Sequence, residues 1–452
     1  MRSHDISPPP VKRRRLEAAR PSDSSKPNEA ALALPTSRKL AQTVRIFSWN
    51  INGIAPYLPP QSTKITSFFK PSDPHRSSNT QFHPRADGLR AFLARHAWPE
   101  VLFLQELKIQ RGNTKALAAL LASLNTPLNQ ADTLSESRTY TLDAVLPRDK
   151  YNARGFQGKL YGVGTILRID FARRRVACIR EVEWDLEGRV SVVELKKQGR
   201  APASSNSSGN PTNSSNVPTL RQDGTNKEAK SSRPLALLNI YAVNGTDAPY
   251  RCPQTGAVIG GATRHDRKLA FHTSLRDECM NLERRGFRVI VAGDLNVARG
   301  PVDGHPRLRS FPRRHCLNRA DFNAKFFGEE DNRRAGAYTV HNNTGFDEKG
   351  PKNTERFFDG VDVFRAMHGL ERRYTYYPRT REWGSSCDRV DMVIVSRALW
   401  EEGEVKGTEI LDTPQERGWS DHVPLWVEVV VEEGEGHYEG SVLTRRVEDG
   451  KH

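Results

Sequence analysis

RVIVAGDLNVARGPVD, residues 288–303, joins an apolar run to the polar residues Asp294 and Asn296. Apolar runs of this length are typical of buried β-strands, and α/β proteins place their functional residues at the ends of such strands. Three other apolar runs end in the same way: VRIFSWN at Asn50, VLFLQE at Glu106 and LALLNIY at Tyr241. Helical patterns separate some of the runs but not others. This order predicts an α/β protein with mixed sheets.

Two further segments carry their polar residues before the apolar run. DRVDMVIV has Asp391 near its start, and SDHVPLWVEVV begins with Asp421 and His422. If these two strands run antiparallel to the first four, all six polar ends meet at one rim. Such a rim would hold carboxylates, amides, a phenol and an imidazole. Hydrolysis of a phosphate ester needs these groups to bind Mg²⁺, to activate water and to stabilise developing charge.

Each of these residues also has an ordinary structural interpretation. An Asn or Asp after a strand is commonly a turn residue, as Asn50, Asp294 and Asn296 would be if taken singly. Tyr241 would be a core aromatic residue with a hydrated hydroxyl, and Asp421 a cap beside a structural histidine. The joint occurrence of all of them at strand boundaries favours a functional site.

Composition restricts the possible partners and compartments. The chain has 452 residues, of which 36% are apolar, and a formal net charge of +15. An excess of Lys and Arg predicts attraction to polyanions, first nucleic acid and then acidic membrane surfaces. No run of about 18 apolar residues occurs, and the N-terminus MRSHDISPPP lacks the apolar part of a secretory signal, so we expect an intracellular protein. The five cysteines are widely spaced, which predicts reduced thiols.

Low-complexity segments delimit the predicted domain. Residues 1–42 are rich in Pro, Ser and Lys/Arg and are predicted to be a disordered basic tail. Residues 43–431 form the domain, which a low-complexity insertion interrupts at about 197–233 between two strands, and residues 432–452 form a solvated extension. Lys12–Arg15 resemble a nuclear localisation signal, so a nuclear location is expected. A cytoplasmic or mitochondrial protein with a plain basic tail is the alternative.

Helices and further insertions are predicted inside the domain. Amphipathic patterns and capping residues indicate helices over Ala86–His96, Asn113–Leu124 and Thr263–Arg285. Pro- and Ser-rich composition indicates insertions at Pro56–Arg85 and, roughly, at Pro127–Lys159.

Six short motifs resemble, in order, those of the endonuclease/exonuclease/phosphatase superfamily. They are WNINGI (49–54), LQELKI (104–109), IYAVNGT (240–246), GDLNVARGPVD (293–303), DRVDMVIVS (388–396) and SDHVPL (420–425). The nearest branch is the exonuclease III and apurinic/apyrimidinic endonuclease group. The resemblance extends from about residue 44 to residue 430. It implies a DNase I-like fold, a four-layered α/β sandwich in which two mixed β-sheets pack face to face with helices outside.

The resemblance also implies a metal site. Glu106 would be the principal Mg²⁺ ligand, with Asn50 and Asp421 close by, and Mn²⁺ is a possible substitute. Asn52 would join through water. Asp294, Asn296 and His422 complete the set of candidate ligands.

Catalytic roles follow from the same resemblance. Asp294 would orient or deprotonate the attacking water, and Asn296 would hold that water or a phosphate oxygen. His422 would donate to the scissile phosphate, with Asp391 fixing its tautomer, and Tyr241 would contact the phosphate or the leaving oxygen. Beside these residues, Asp303 is expected to have a structural role in its loop.

Candidate nucleic-acid contacts come from four places in the chain. The segment HPRLRSFPRRHCLNR (305–319) contains five arginines and no acid, and it follows the GDLN loop directly. Its arginines would bind phosphates without reading sequence, or would form a solvated loop with no partner. The candidate contacts are Asn52, Asn244, Arg307, Arg309, Arg313, Arg314 and Arg389.

Two departures from the family pattern weaken the case for abasic-site recognition. The motif Tyr-x-Pro-Asn becomes Tyr241-Ala242-Val243-Asn244, and the basic residue expected after it is replaced by Asp247. Asp388 stands where abasic-site endonucleases usually have a tryptophan that lines the pocket for the flipped sugar.

The expected function is a Mg²⁺-dependent phosphodiester hydrolase that acts on DNA, as an abasic-site or 3′-end-processing endonuclease/exonuclease. The expected partner is the DNA phosphate backbone, with no obligate protein partner and a monomeric state. The alternatives are a phosphatase or a protein–DNA phosphodiesterase of the same fold, acting on phosphoinositide or tyrosyl-DNA. An inactive scaffold that binds nucleic acid is a third interpretation.

Overall fold

The computed structural model describes residues 41–58, 88–110, 112–153, 155, 158–197, 233–337 and 357–432. Residues 1–40 of the predicted basic tail, with Lys12–Arg15, lie outside these residues. So do the C-terminal extension after residue 432 and most of the segments 56–85 and 197–233. The predicted tail was two residues too long, because Ala41 and Gln42 already belong to the first strand. The described residues belong to one compact unit that begins at Leu40. None of its described helices combines the length and the apolar character that crossing a membrane requires.

Sixteen strands are described: β1 (Ala41–Asn50), β2 (Val101–Gln105), β3 (Tyr140–Val145), β4 (Val163–Arg168), β5 (Val176–Glu181), β6 (Val190–Leu195), β7 (Leu235–Tyr241), β8 (Pro249–Arg251), β9 (Val258–Thr263), β10 (Arg288–Asp294), β11 (Gly304–His305), β12 (Gly360–Asp362), β13 (Cys387–Asp388), β14 (Asp391–Ser396), β15 (Val405–Ile410) and β16 (Leu425–Glu432).

The described helices are α1 (Leu89–Arg95), α2 (Thr114–Asn125), α3 (Ile169–Arg175), α4 (Arg264–Arg284), α5 (Arg313–Phe326), α6 (Glu329–Arg334), α7 (Val363–His368), α8 (Arg397–Glu401) and α9 (Pro414–Arg417). Two of them begin at clear sequence signals. The Asn113 side chain accepts the backbone N–H of Ala116 at the start of α2. Thr263 and Asp266 form a capping box at the start of α4, which satisfies backbone N–H groups that the helix itself cannot pair.

The strands form two mixed six-stranded sheets. The first has the order β15-β16-β1-β2-β4-β3, and the second has the order β12-β14-β10-β7-β6-β5. Each sheet has a parallel pair at its centre, β1 with β2 and β7 with β10. The remaining pairs are antiparallel.

Apolar side chains fill three interfaces. Val44 and Val101 of the first sheet and Leu237 and Ile290 of the second belong to one buried cluster between the sheets. A second cluster joins the outer face of the second sheet to α4 and α5, and a third joins the outer face of the first sheet to α1 and α2. The order helix, sheet, sheet, helix confirms the predicted four-layered sandwich.

Three predicted helices are present, but one predicted insertion is partly wrong. The patterns over 86–96, 113–124 and 263–285 correspond to α1, α2 and α4. Within the predicted insertion 127–159, Tyr140–Val145 forms β3, the edge strand of the first sheet. The middle of β3 is only half-buried, so it lacks the continuous apolar run by which the central strands are recognised.

The segment around residues 197–233 joins two neighbouring strands. β6 ends at Leu195, β7 begins at Leu235, and the two strands pair antiparallel. The chain therefore leaves the second sheet and returns to the same sheet at an adjacent position.

A buried group of three arginines and two aspartates ties the loop after β10 to the second sheet. We call it the arginine cluster: Arg299, Arg365, Arg389, Asp303 and Asp362. Asp303 accepts from Arg389 Nε at 2.7 Å and from Arg365 Nε at 3.2 Å. Asp362 accepts from Arg389 Nη2 at 2.7 Å and from Arg299 Nη1 at 2.9 Å. These bonds confirm the structural role expected for Asp303.

Candidate active site

The strand registers bring the predicted polar ends to one rim. Asp294 at the end of β10 lies beside Tyr241 of β7 and opposite Asp391 of β14. In the other sheet, Asn50 at the end of β1 lies beside the last residue of β2, immediately before Glu106. The Asn50 amide crosses between the sheets, with its nitrogen 3.0 Å from Asp294 Oδ2. The two sheets therefore share one site.

Most of the predicted site residues line a single pocket at this rim. They are Glu106, Tyr241, Asn244, Asp294, Asn296, Arg309, Asp421 and His422. Asn50 and Asp391 lie directly behind this wall, hydrogen-bonded to Glu106 and His422 respectively. The structure thus brings together residues that are separated by more than three hundred positions in the chain.

Glu106 is held as an ionised carboxylate by its neighbours. Its Oε1 accepts from the Asn50 amide at 3.1 Å, and its Oε2 pairs with Lys108 Nζ at 2.7 Å. Burial alone would raise the pKa of Glu106, but the charge and hydrogen bond of Lys108, with the Asn50 amide, lower it. Its backbone φ is 54°, a left-handed conformation that is uncommon for a Glu and is found at functional sites.

Asp294 is buried, and the hydrogen-bond donors to it within the described residues are neutral amide groups. The backbone N–H of Asn296 donates to its Oδ1 at 2.9 Å, and the Asn296 amide lies 3.3 Å from its Oδ2. Burial, together with the charges of Asp391 and Glu106, raises the pKa of Asp294 to about 7. A carboxylate with this pKa can both accept and release a proton near neutral pH, as a general base requires.

Gly293 explains why Asp294 can occupy this position. Its φ is 149°, and a Cβ atom on it would lie 1.9 Å from the Ile240 carbonyl oxygen of the neighbouring strand. A side chain at this position would push β10 away from β7. The glycine of GDLN is therefore required by strand packing at the site.

His422 and Asp391 form a buried pair. The His422 Nδ1 lies 2.7 Å from Asp391 Oδ2, and Asp391 is fully buried. Burial by itself would lower the pKa of His422, but the charge and hydrogen bond of Asp391, with the charge of Asp294, raise it to about 10. The imidazole is therefore protonated at neutral pH, and its other nitrogen can donate to an anionic oxygen.

The turn that carries His422 is fixed to the first sheet by Ser420, which the motif analysis did not single out. Ser420 Oγ donates to the Asn50 carbonyl at 2.5 Å and accepts the His422 backbone N–H at 3.0 Å. Trp49 Nε1 donates to the His422 carbonyl at 3.1 Å. These bonds place the imidazole relative to Asn50.

Tyr241 is a protonated phenol in the pocket wall. Burial, followed by the charge of Glu106, raises its pKa well above the usual tyrosine value. The Arg189 guanidinium lies 4.8 Å from the centre of its ring. The hydroxyl therefore keeps its proton and can donate a hydrogen bond.

The oxygen donors in the pocket fit a hard divalent cation. Glu106, Asp294 and Asp421 bring three carboxylates to one pocket. The charge of Glu106 contributes to the raised pKa of Asp294, so these carboxylates repel one another. A bound cation would offset this repulsion, and carboxylate oxygens are the ligands that Mg²⁺ prefers. Glu106 and Asp421, with Asn50 or Asp294, are the residues that could hold it.

His422 is predicted both as a metal ligand and as a hydrogen-bond donor. Ligand atoms of Asp294, Asp391 and His422 lie within 4.8 Å of one another, so His422 stays among the candidate metal ligands. Its Nδ1 is bonded to Asp391, which leaves the other ring nitrogen as the atom that would bind a metal or donate to a phosphate oxygen. Without a metal, the pKa of about 10 favours the protonated ring and the donor role.

The structure contradicts the prediction that Arg389 contacts nucleic acid. Its side chain is fully buried and belongs to the arginine cluster. Its partners Asp303 and Asp362 lie 86 and 27 positions away in the chain. Because these partners are remote in sequence, the local motif could not show that the charge was already paired.

The other candidate nucleic-acid contacts differ in their position relative to the pocket. Arg309 lines the pocket, whereas Arg307 and Arg313 are exposed outside it. Arg314 is exposed but donates to Thr263 Oγ1 at 2.7 Å, at the start of α4. Asn244 lines the pocket and is exposed, and the Oδ1 of Asn52 accepts from Lys108.

Several pocket residues were missed by the motif analysis. Lys268, His315, Asn318, Arg319 and Tyr376 line the pocket beside the predicted residues. Lys268 lies in the amphipathic helix α4, where a lysine would be expected on the solvent side, and no motif singles it out. For His315, Asn318 and Arg319, the one available signal was the basic segment that contains them.

Comparison with known proteins places the chain in a family. The family model described as "Endonuclease/Exonuclease/phosphatase family" matches residues 47–422. The chain belongs to this family. It is a hydrolytic enzyme of the phosphodiesterase type. No curated protein sequence shows significant similarity to it.

Three of the matching solved structures are as follows. The catalytic domain of APE2 from Xenopus laevis has 16% identity and a TM-score of 0.46, over 87% of this chain and 94% of that one. The AP endonuclease LMAP from Leishmania major has 16% identity and a TM-score of 0.47, over 86% and 87%. An AP endonuclease from Archaeoglobus fulgidus has 15% identity and a TM-score of 0.44, over 86% and 99%. Likeness at this level says nothing about the substrate of this chain.

Proposed function

We propose that the chain is a Mg²⁺-dependent phosphodiesterase that hydrolyses DNA at abasic sites or at blocked 3′ ends. The observation that carries the proposal is the convergence of Glu106, Asp294 and His422 in one pocket, with the His422 Nδ1 2.7 Å from the buried Asp391. The pKa of Asp294 is raised to about 7 and that of His422 to about 10, so a carboxylate that can take a proton faces an imidazolium that can give one. Two groups with such separated pKa values are typical of acid–base catalysis.

Each side chain has a defined part in this reaction. Asp294 takes the proton from the attacking water, and the Asn296 amide, 2.9 Å from the Ala242 carbonyl and 3.3 Å from Asp294 Oδ2, keeps that carboxylate in place. His422, oriented by Asp391, donates to a phosphate oxygen, and Tyr241 donates beside it. A divalent cation, when bound at Glu106, would neutralise phosphate charge and help position the substrate. Mn²⁺ should replace Mg²⁺ because both accept carboxylate and water ligands.

The charge of the chain supports DNA as the substrate class. The net charge is +15, and arginines of the 305–319 segment lie both in the pocket and on the surface beside it. Cations in such positions bind phosphates independently of sequence. An acidic lipid headgroup is the competing substrate that a basic surface also attracts.

The side chains next to His422 indicate which DNA substrates the pocket can accept. Tyr376 packs against the His422 ring with 5.0 Å between ring centres, and Val390 lines the same pocket. This apolar wall suits a sugar that has lost its base. Asp388, which also lines the pocket, adds an acceptor for a hydroxyl group. This wall therefore favours abasic or 3′-blocked DNA as the substrate.

A panel of substrates tests the proposal. Purified full-length protein is incubated with Mg²⁺, or with EDTA, and with duplexes that are intact, nicked, abasic or 3′-phosphate-blocked. A 5′-tyrosyl oligonucleotide and a phosphoinositide complete the panel. We expect EDTA-sensitive cleavage of the abasic or 3′-blocked duplex. Preferential release of phosphate from the phosphoinositide, or release of tyrosine, would replace the nuclease by one of the alternative functions.

A further inference from the structure

The two sides of the pocket carry opposite charge. The acidic side holds Glu106, Asp294 and Asp421. The other side, which we call the basic side, holds Lys268, Arg309, Arg319, His315 and Asn318. The reaction described above uses the acidic side with His422 and Tyr241. The chemical step does not involve the basic side, and its arginines have so far been given only a general attraction to DNA phosphates.

Lys268 is the most informative member of the basic side. It is 3% exposed, and its Nζ donates to the Asn296 carbonyl at 2.7 Å. This partner is a neutral oxygen, and within the described residues Lys268 has no direct ion pair. The charge of Asp294 acts on Lys268 from beyond ion-pair distance. A buried amine that faces a polar pocket in this way is costly to the folded protein unless an anion joins it.

The neighbours of Lys268 add to the positive potential. Arg319 donates to the Ala298 and Arg309 carbonyls, both at 2.7 Å, so it fixes the loop that carries Arg309. The Arg309 side chain is exposed and lines the pocket. Three basic side chains thus line the pocket on this side. Two carboxylates act on them: Asp388 on Arg309 and Arg319, and Asp294 on Lys268.

Two neutral donors complete the basic side. Burial, and then the positive charges of Arg309, His265 and Lys268, lower the pKa of His315 to about 4. His315 is therefore a neutral imidazole that can still donate one hydrogen bond. The Asn318 amide is held 2.8 Å from His265 Nδ1. Cations and neutral donors around one pocket are the groups that bind phosphate.

We propose that the basic side binds a second phosphate of the substrate strand, adjacent to the phosphate that is hydrolysed. This inference rests on the proposed function, because the acidic side must hold the first phosphate through its cation. A single phosphodiester carries one negative charge and has no use for three more cations in the same pocket. The enzyme therefore selects substrates that present two consecutive phosphates over a lone phosphate ester.

Nucleotide binding tests the basic side without requiring turnover. Isothermal titration with Mg²⁺ compares thymidine 3′,5′-bisphosphate with the 3′- and 5′-monophosphates. We expect wild-type protein to bind the bisphosphate roughly tenfold or more tightly than either monophosphate, as a charge-assisted phosphate contact implies. Arg309→Gln and Lys268→Met should each reduce that preference severalfold. Lys406→Met, an exposed lysine of β15 outside the pocket, is the matched control and should retain it.

Arg309→Gln changes an exposed side chain, so the test does not depend on how well Lys268→Met folds. Equal affinity of the wild-type protein for all three nucleotides overturns the proposal. An unchanged preference in Arg309→Gln together with an unchanged preference in folded Lys268→Met also overturns it.

Cleavage of modified DNA identifies which neighbouring phosphate is bound. An uncharged methylphosphonate replaces the phosphate on the 5′ or the 3′ side of the scissile bond. Wild-type kcat/KM should fall roughly tenfold for one of the two, and the same replacement should have little further effect in Arg309→Gln. Equal slowing of every variant by every replacement overturns the inference. Absence of any DNA cleavage would instead overturn the proposed function, while a bisphosphate preference would still support the second phosphate site.

Discussion

The catalytic pocket and the arginine cluster are two groups of buried charges with opposite design. In the arginine cluster every carboxylate is bonded to two arginines, and in both Asp303 and Asp362 burial would raise the pKa but the arginines lower it. In the pocket, the hydrogen-bond partners that Asp294 has among the described residues are amide groups, and its pKa is raised. Burial is the same for these three carboxylates, but the pairing of their charges differs. Asp303 and Asp362 are paired with arginines and hold the fold, whereas Asp294 is available for chemistry.

The two groups meet in one short segment of chain. Arg389 belongs to the arginine cluster, and Asp391, two positions later, orients His422. One oxygen of Asp391 is bonded to His422, and within the described part of the chain its other oxygen, Oδ1, has no hydrogen-bond partner. An unsatisfied buried oxygen is costly in a core, and such strain is typical of active sites. The comparison predicts opposite results for substitutions on its two sides.

Asp294→Asn should have the largest effect on activity and little effect on the fold. Loss of a general base typically costs about 10²–10⁴-fold in turnover. The variant removes a buried charge that its neighbours disfavour, so the free energy of unfolding should stay the same or rise. Initial rates on the preferred duplex and a thermal melt measure both quantities. If the variant unfolds readily, Asp294 stabilises the fold as Asp303 and Asp362 do, and the contrast between the two regions is wrong.

Arg389→Met should have the reverse effect. Removing one partner of a buried ion pair typically costs about 3–5 kcal/mol of stability, because the remaining carboxylates stay buried without their counter-charge. Turnover per folded molecule should change little, since Arg389 does not line the pocket. Urea unfolding and active-site-normalised rates make the test, with exposed Arg307→Met as the control. Unchanged stability together with weakened DNA binding would restore the role suggested by the local motif.

The sequence was sufficient to predict the acidic side of the pocket. Asn50, Glu106 and Asp294 follow continuous apolar runs, and Asp421 and His422 precede one. The end of a buried strand is readable from the sequence because apolar runs and turn residues mark it. Once the strand directions are right, the sheets bring these ends together without further information.

The basic side and the arginine cluster were not predictable in the same way. Lys268 lies in a helix, and whether a helical lysine is exposed or buried depends on the elements packed around it. Arg389 depends on Asp303 and Asp362, which are distant in sequence. β3 is a half-buried edge strand whose residues Tyr140–Val145 include Thr and Asp. In all three cases the deciding information is tertiary.

Asp391→Asn tests a carboxylate of the catalytic pocket that acts by orienting His422. Loss of a partner that orients a histidine typically costs about 10–100-fold in activity. The negative charge of Asp391 helps to hold the pKa of His422 near 10, so the variant should lose the protonated imidazole at lower pH. Activity should therefore decline on the alkaline side at a lower pH than in the wild type. A pH–kcat profile with unchanged shape would mean that Asp391 only supports the fold.

The smallest expected effect is the acid sensitivity of the arginine cluster. The folded-state pKa of Asp303 lies below the usual Asp value, because Arg389 and Arg365 outweigh burial. Its ionised form therefore contributes stability above about pH 4, the range of an unfolded Asp, and that contribution is lost as pH falls through the folded pKa. Urea unfolding of metal-free protein between pH 3 and pH 7 measures it. Asp303→Asn should be less stable at pH 7, but its free energy of unfolding should depend less on pH because it lacks the titrating group. An equally steep pH dependence in that variant would mean that other carboxylates cause the acid sensitivity.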